Sequence, residues 1–310
     1  MPQVCTSDGS IFALTATTAS IGDLVSIAPD GKTVTNFGVQ KINDLKNPRI
    51  ISFFVSDRGV YLLVSTHESE ESKDATILQS DGTVKAVKTT VVKGRHYAIA
   101  KFKTEGTYVG SIWLDVPFTP QQFGAFSTGD FLIAGIKTDV LGTQRTTASQ
   151  LALVASSGQF LKQIDLKQDP NSHAPADNSG FGDWYMLTSL SEIVPDGDNL
   201  LLVRPAKNTP LFSISPGGEA SAMNLQIPEG YGLGDLKVSG TEWIGLIARG
   251  VSGTDSQLLS FDRNTGKALA QYVYPPRVGL ALACVDHDEF TFVTAQEEDN
   301  KMALTKLARR

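Results

Sequence analysis

Near its two ends the chain runs through almost the same phrase, "VCTSDGSIFALTAT" from Val4 and "ACVDHDEFTFVTAQ" from Ala283. Four further copies lie between them, at residues 52–66 ("SFFVSDRGVYLLVST"), 124–137 ("GAFSTGDFLIAGIK"), 191–204 ("SEIVPDGDNLLLVR") and 236–249 ("LKVSGTEWIGLIAR"). Each is a short apolar stretch, a tight polar turn carrying Asp or Gly, and a second apolar run. Asp and Gly supply the turn while Val, Leu, Ile and Phe fill buried strands, so each copy reads as a β-hairpin of strands A and B. Supersecondary units recurring at intervals of about 40–50 residues are the signature of propellers and arrays.

A second hairpin, strands C and D, follows the copies: "LVSIAPDGKTVTNF", "YAIAKFKTEGTYVGSIWL", "LALVASSGQFLKQI", "LFSISPGGEASAMN" and "LLSFDRNTGKALAQY". The sixth is shortened to "MALTKLARR", which supplies C without D. Four short antiparallel strands repeated about an axis are the blade plan of a β-propeller. No segment carries a 3.6-residue apolar period, so helices are incidental. The expectation is an all-β, six-bladed β-propeller with four-stranded antiparallel blades, formed by residues 1–310 as a single domain. Seven blades is the alternative, because "ATILQSDGTVKAV" within 67–95 is an additional hairpin. It lacks an A–B partner and is taken as an insertion decorating the second blade.

Both cysteines, Cys5 and Cys284, fall in strand A, of the first and sixth blades. A closed ring makes those blades neighbours, and no leftover terminal strand completes the other end's blade. A Cys5–Cys284 disulfide would clasp the ring, removing about 4–5 kcal/mol of unfolded-state entropy in the simple chain model. Two separately buried thiols are the alternative, since free Cys packs like a small hydrophobe.

With 41% hydrophobic and 19% charged residues the chain can build a large core. A net charge of -6 excludes a nucleic-acid partner of the usual kind, which needs a basic face. No apolar run reaches the roughly 18–20 residues of a membrane helix. The chain opens "MPQVCTSDGS", directly in a strand, and an export signal outside this sequence is expected, placing the protein in the periplasm or outside the cell.

Loop lengths are lopsided. A–B and C–D turns are short, whereas B–C and D–A connections are long: 38–47, 67–95, 138–150, 167–187 and 226–234. These emerge on one face, and long loops on a rigid scaffold commonly carry binding. Strand A starts at that face, bringing Arg49, Gln121, Gln122 and Arg277 to the channel mouth; strand B ends there with His67, Lys137, Arg204, Arg249 and Gln296. Guanidinium groups on rigid strands suit a carboxylate or phosphate. The loop "QDPNSHAPADNSGFGDWYML" adds His173, Trp184 and Tyr185. The expected ligand-binding set is Arg49, Gln122, Arg204, Arg277, Trp184 and Tyr185. Trp113 and Trp243, inside strands, are expected in the core, and "ESEESKD" is expected to be a solvated acidic loop.

Catalytic signals are weak: there is no G-x-S-x-G elbow, no H-E-x-x-H and no Cys/His metal spacing. Hairpins such as "VSIAPDGKTVTNF" and "LVASSGQFLKQI" resemble those of six-bladed propellers of the NHL and TolB-like type. That resemblance implies a protein, peptide or carbohydrate ligand and no catalysis or cofactor. A minority of such propellers are calcium-dependent lactonases with metal ligands in the channel, for which Glu192 and Asp235 are the inner-strand acids available here. A binding or scaffolding module is therefore expected, with a metal-dependent hydrolase as the alternative.

Overall fold

The structure is a computed structural model that describes residues 3–6, 8–16, 21–78, 83–141, 144–166, 192–203, 211–223, 225–249, 255–272, 281–286, 289–296 and 301–309. Six antiparallel sheets follow one another along the chain. Blade 1 is β1 (Gln3–Cys5), β2 (Ile11–Ala16), β3 (Ile21–Ile27) and β4 (Val34–Phe37). Blade 2 is β5 (Arg49–Ser56), β6 (Gly59–Thr66), β9 (His96–Phe102) and β10 (Tyr108–Trp113). Between β6 and β9 stands a separate two-stranded ribbon, β7 (Ser69–Leu78) with β8 (Val84–Lys93). Blade 3 is β11 (Thr119–Ala125), β12 (Phe131–Leu141), β13 (Gln144–Val154) and β14 (Phe160–Gln163).

Blade 4 comprises β15 (Glu192–Asp196), β16 (Asn199–Val203), β17 (Leu211–Ile214) and β18 (Ala220–Met223). Blade 5 comprises β19 (Tyr231–Ser239), β20 (Glu242–Arg249), β21 (Asp255–Asp262) and β22 (Ala268–Tyr272). Blade 6 has three strands, β23 (Ala281–Val285), β24 (Glu289–Gln296) and β25 (Lys301–Ala308). The only helical element among the described residues is one 3-10 turn at Val39–Lys41. The first strands β1, β5, β11, β15, β19 and β23 stand innermost, with β1 against β23 closing the circle. The fold is a six-bladed propeller, and the additional hairpin is an appendage of blade 2.

Turn chemistry explains the regular hairpins. In the C–D turns Asp30 accepts from the backbone N–H of Lys32 and Thr33, and Asp262 accepts from those of Asn264 and Thr265. An Asp that receives two backbone N–H groups locks the turn and lets its neighbours pair. One glycine is demanded by a close approach. Gly158, in the C–D turn of blade 3 at φ 91°, takes a hydrogen bond on its carbonyl from the Asp115 N–H at 2.9 Å, and a Cβ there would lie 1.8 Å from the Trp113 carbonyl oxygen. The turn is thereby pressed onto the chain leaving blade 2.

Apolar residues fill the joints between blades. Phe12, Phe37, Phe53 and Phe102 join blades 1 and 2; Phe54, Phe123, Phe131 and Ile193 run through blades 2, 3 and 4. Leu201, Trp243 and Phe261 join blades 4 and 5, and Ile244, Leu282 and Phe292 join blades 5 and 6. The joint of blades 6 and 1 is the thinnest among the described residues: Ile11, Ala283 and Cys284, with Cys5 against them. There a disulfide links Cys5 to Cys284, whose Cα atoms are 5.1 Å apart across 279 positions of sequence.

Three local expectations are overturned. Trp243 is buried as expected, but Trp113 is 51% exposed, because it lies on the outermost strand of its blade, edge-on to His96. The segment "ESEESKD" is largely strand β7 rather than an open loop; its acids pair across the ribbon and with the blade, as Glu71 does with Lys93 at 2.5 Å. The connection 138–150 is also no loop, since β12 and β13 run on in register to Leu141↔Gln144.

Candidate functional site

Along the axis the inner strands enclose a cavity of about 290 Å3. Every blade contributes: Cys5 and Thr6, Phe53 to Val55, Gln122 and Phe123, Glu192 to Pro195, Lys237 and Val238, Ala283 to Val285. The registers show its depth. Val55, Pro195 and Val238 sit one pair inside their A–B turns, so they form the rim at the short-turn end of the channel. Glu192 and Asp235 each sit four pairs in from the turn of their blade, paired with Val203 and Leu246, and Gln122 sits three pairs in, paired with Ala134. Polar side chains at adjacent levels of three successive blades form a band below an apolar collar.

The band is electrostatically organised. Lys237 reaches from blade 5 to blade 4 and donates from Nζ to Glu192 Oε1 at 2.7 Å, with both side chains largely buried (12% and 16% exposed). Asp235, two residues earlier on β19, accepts from the Leu282 N–H of blade 6 at 3.2 Å. Burial pushes the Glu192 carboxyl above its ordinary range; the adjacent Lys237 ammonium pulls it down, and Asp235 pushes it up again. Burial acts to lower Lys237, but the carboxylates of Glu192 and Asp235 outweigh it and leave the ammonium above its usual value. Glu192 Oε2 is buried with no hydrogen-bond partner. Gln122, half-buried and one pair nearer its turn, adds an amide with one acceptor and two donors.

A divalent cation does not fit this band. Glu192 Oε1 is taken by an ammonium and Asp235 Oδ2 by a backbone N–H, and no three acidic, His or Cys groups converge among the described residues. Placing calcium between Glu192 and Asp235 would put a dication against a buried ammonium, whereas Ca2+ sites use six to eight oxygen ligands.

Of the residues expected to bind, Arg49 opens β5 and is exposed, but its guanidinium is held by Glu70 of the ribbon at 2.5 Å. The same Glu70 oxygen stands 2.9 Å from His67 Nε2. Gln122 lies in the channel band rather than at the rim. Arg204, Arg277, Trp184 and Tyr185 fall outside the described residues, as does His173. The cavity lies toward the short-turn face, opposite the face where the long connections leave. Lys237 and the apolar collar were not anticipated. A lysine in the otherwise apolar inner strand "LKVSG", two residues after Asp235, is the signal that could have found them.

The fold and the site together define a six-bladed β-propeller with a charged band buried in its channel. No family model and no curated protein sequence matches the chain. Among solved structures it is similar to a protein of unknown function from Bacteroides caccae, at 13% identity over 87% of this chain and 93% of that one, TM-score 0.39. It is also similar to the dihydro-heme d1 dehydrogenase NirN, at 11% identity over 99% of this chain and 66% of that one, TM-score 0.44. A third likeness is the Dos1 propeller, at 11% identity over 86% and 70% of the two chains, TM-score 0.39. Likenesses this distant carry nothing about ligand or activity.

Proposed function

We propose that the protein is a binding propeller that takes a small ligand, or the end of a partner's side chain, into the short-turn half of its channel. The observation that carries this is the convergence of all six inner strands on one cavity, apolar at its collar and bearing Gln122, Glu192 and Lys237 below. Concave sites that are largely apolar with a few convergent polar groups are the usual form of ligand pockets, and this one stands at the small end of their range of about 300–1,000 Å3. The Cys5–Cys284 bridge supports action in an oxidising compartment, where such bonds persist. Among the described residues no helix is long and apolar enough to cross a membrane.

Ligand-observed NMR against a library of small polar fragments tests the proposal. Binders should appear, and Val238→Trp, which plugs the collar, should abolish them. Binders that survive the plug bind elsewhere and sink the reading.

A further inference from the structure

The channel band holds a buried acceptor that nothing answers. Among the described residues its ionisable groups are Glu192, Asp235 and Lys237. Among the described residues the elements packed around them bring no further charge to the cavity: β11 presents Gln122 and Phe123, β5 presents Phe53 to Val55, β23 presents Ala283 to Val285, and β1 ends in Cys5, followed by Thr6. The cluster is one donor short, because Glu192 Oε2 is buried without a partner. In a low-dielectric site an unpaired carboxylate oxygen is costly, and a charge-assisted donor relieves it far better than a neutral one.

Shape restricts the donor further. Toward the short-turn end the cavity is walled mainly by Val55, Val194, Pro195, Val238 and Val285, with Thr6 the polar residue among them. Any group reaching the band from that end must pass an apolar collar, so its stem must be apolar too. A guanidinium is planar and broad, and its five donors ask for a bidentate carboxylate. Here Glu192 has one oxygen already committed to Lys237. A primary ammonium is a compact point charge that can share a carboxylate with a second ammonium and still donate to the carbonyl oxygen of the Gln122 amide.

Resting on the channel-binding proposal above, we infer that the cavity binds a protonated primary amine carried on a short apolar stem, the ammonium lodging between Glu192 and Gln122. The same chemistry is offered by a free alkylamine and by the end of a lysine side chain on a partner.

The test is a charge series on the intact protein, by calorimetry and by protein-observed NMR. The probes are n-pentylamine, n-pentanol and pentanoate, with Nα-acetyl-lysine methylamide as the peptide-borne amine. The amine should bind at least tenfold more tightly than the alcohol, and pentanoate should bind more weakly still. Glu192→Gln should erase the preference for amine over alcohol. That variant's circular dichroism and melting curve verify folding; Gln122→Leu, which leaves the ion pair intact, is the second variant and should weaken the amine alone. Binding of the lysine derivative as tightly as pentylamine marks a partner's side chain as the source, and binding of pentylamine alone marks a free amine. If pentanol or pentanoate binds in the cavity as well as the amine does, the amine assignment is overturned and channel binding stands. If no probe perturbs cavity residues, both fall.

Discussion

Lys237 Nζ of blade 5 stands 2.7 Å from Glu192 Oε1 of blade 4, so two adjacent blades are tied by an ion pair at the channel. A buried pair of this kind is a weak net contributor, yet breaking it from one side is expensive. Lys237→Met should destabilise the protein by about 3–5 kcal/mol at neutral pH, since it strands a buried carboxylate beside Asp235. Glu192→Gln combined with Lys237→Met should recover most of that loss. Urea denaturation of the two single variants and the double variant measures the coupling; additive losses would show that the pair is not coupled.

The pH dependence of the Lys237→Met variant has a definite sign. Without the ammonium, burial and Asp235 both hold the native Glu192 carboxyl above its unfolded value. Stability linked to that group is complete below the ordinary Glu range and is lost as pH rises through the elevated native value. The variant should therefore regain stability relative to wild type on acidification from neutral pH toward the ordinary carboxylate range. A gap between the two proteins that stays constant over that window contradicts this account of the site.

Removing the disulfide should be costly. Cys5→Ser with Cys284→Ser, or reduction of the wild type, opens a covalent loop spanning 279 positions. The chain-entropy limit for so long a loop is about 4–5 kcal/mol. The midpoint of guanidinium unfolding with and without reductant reads it directly, and coincident curves would show that the ring closes without help.

Gly158→Ala should destabilise by at least about 1–3 kcal/mol, the usual cost of an enforced strained backbone. Its φ of 91° and the approach of the Trp113 carbonyl both exclude a side chain. Gly197→Ala, at a φ of 64° but with open space around the position, serves as control and should cost less. Thermal melts of the two variants rank them.

Arg49→Ala should change stability by less than about 1 kcal/mol, as its pairing with Glu70 is largely solvated. The informative readout is the ribbon itself. Hydrogen exchange across β7 and β8 should quicken while blade 2 stays protected, because Arg49 is one of the side chains that hold the ribbon against the blade.

The blade plan is legible because each hairpin carries its own turn chemistry and its own apolar alternation, both local in sequence. Asp30 and Asp262 announce their turns before any tertiary contact is known. The site is legible only in fragments. Glu192 and Asp235 are visible as inner-strand acids, but their shared level depends on counting register from two different turns, and Lys237 gains meaning only when blade 5 leans against blade 4. Trp113 misleads for a related reason: an aromatic in a strand is core or surface according to which strand is outermost, and local pattern does not carry that. The 138–150 connection looks like a loop because Thr, Gly, Gln and Arg dominate it, although two strands simply continue past the blade.

The bridge between Cys5 and Cys284 also sets how the molecule responds to being pulled. Tension applied at the two ends of the chain passes through the sulfur–sulfur link and bypasses blades 2 to 5, so among the described strands only β24 and β25, which follow Cys284, can be drawn out. Once that link is reduced, the same pull falls on the joint where Ile11 and Ala283 meet, and the propeller parts first where its packing is least.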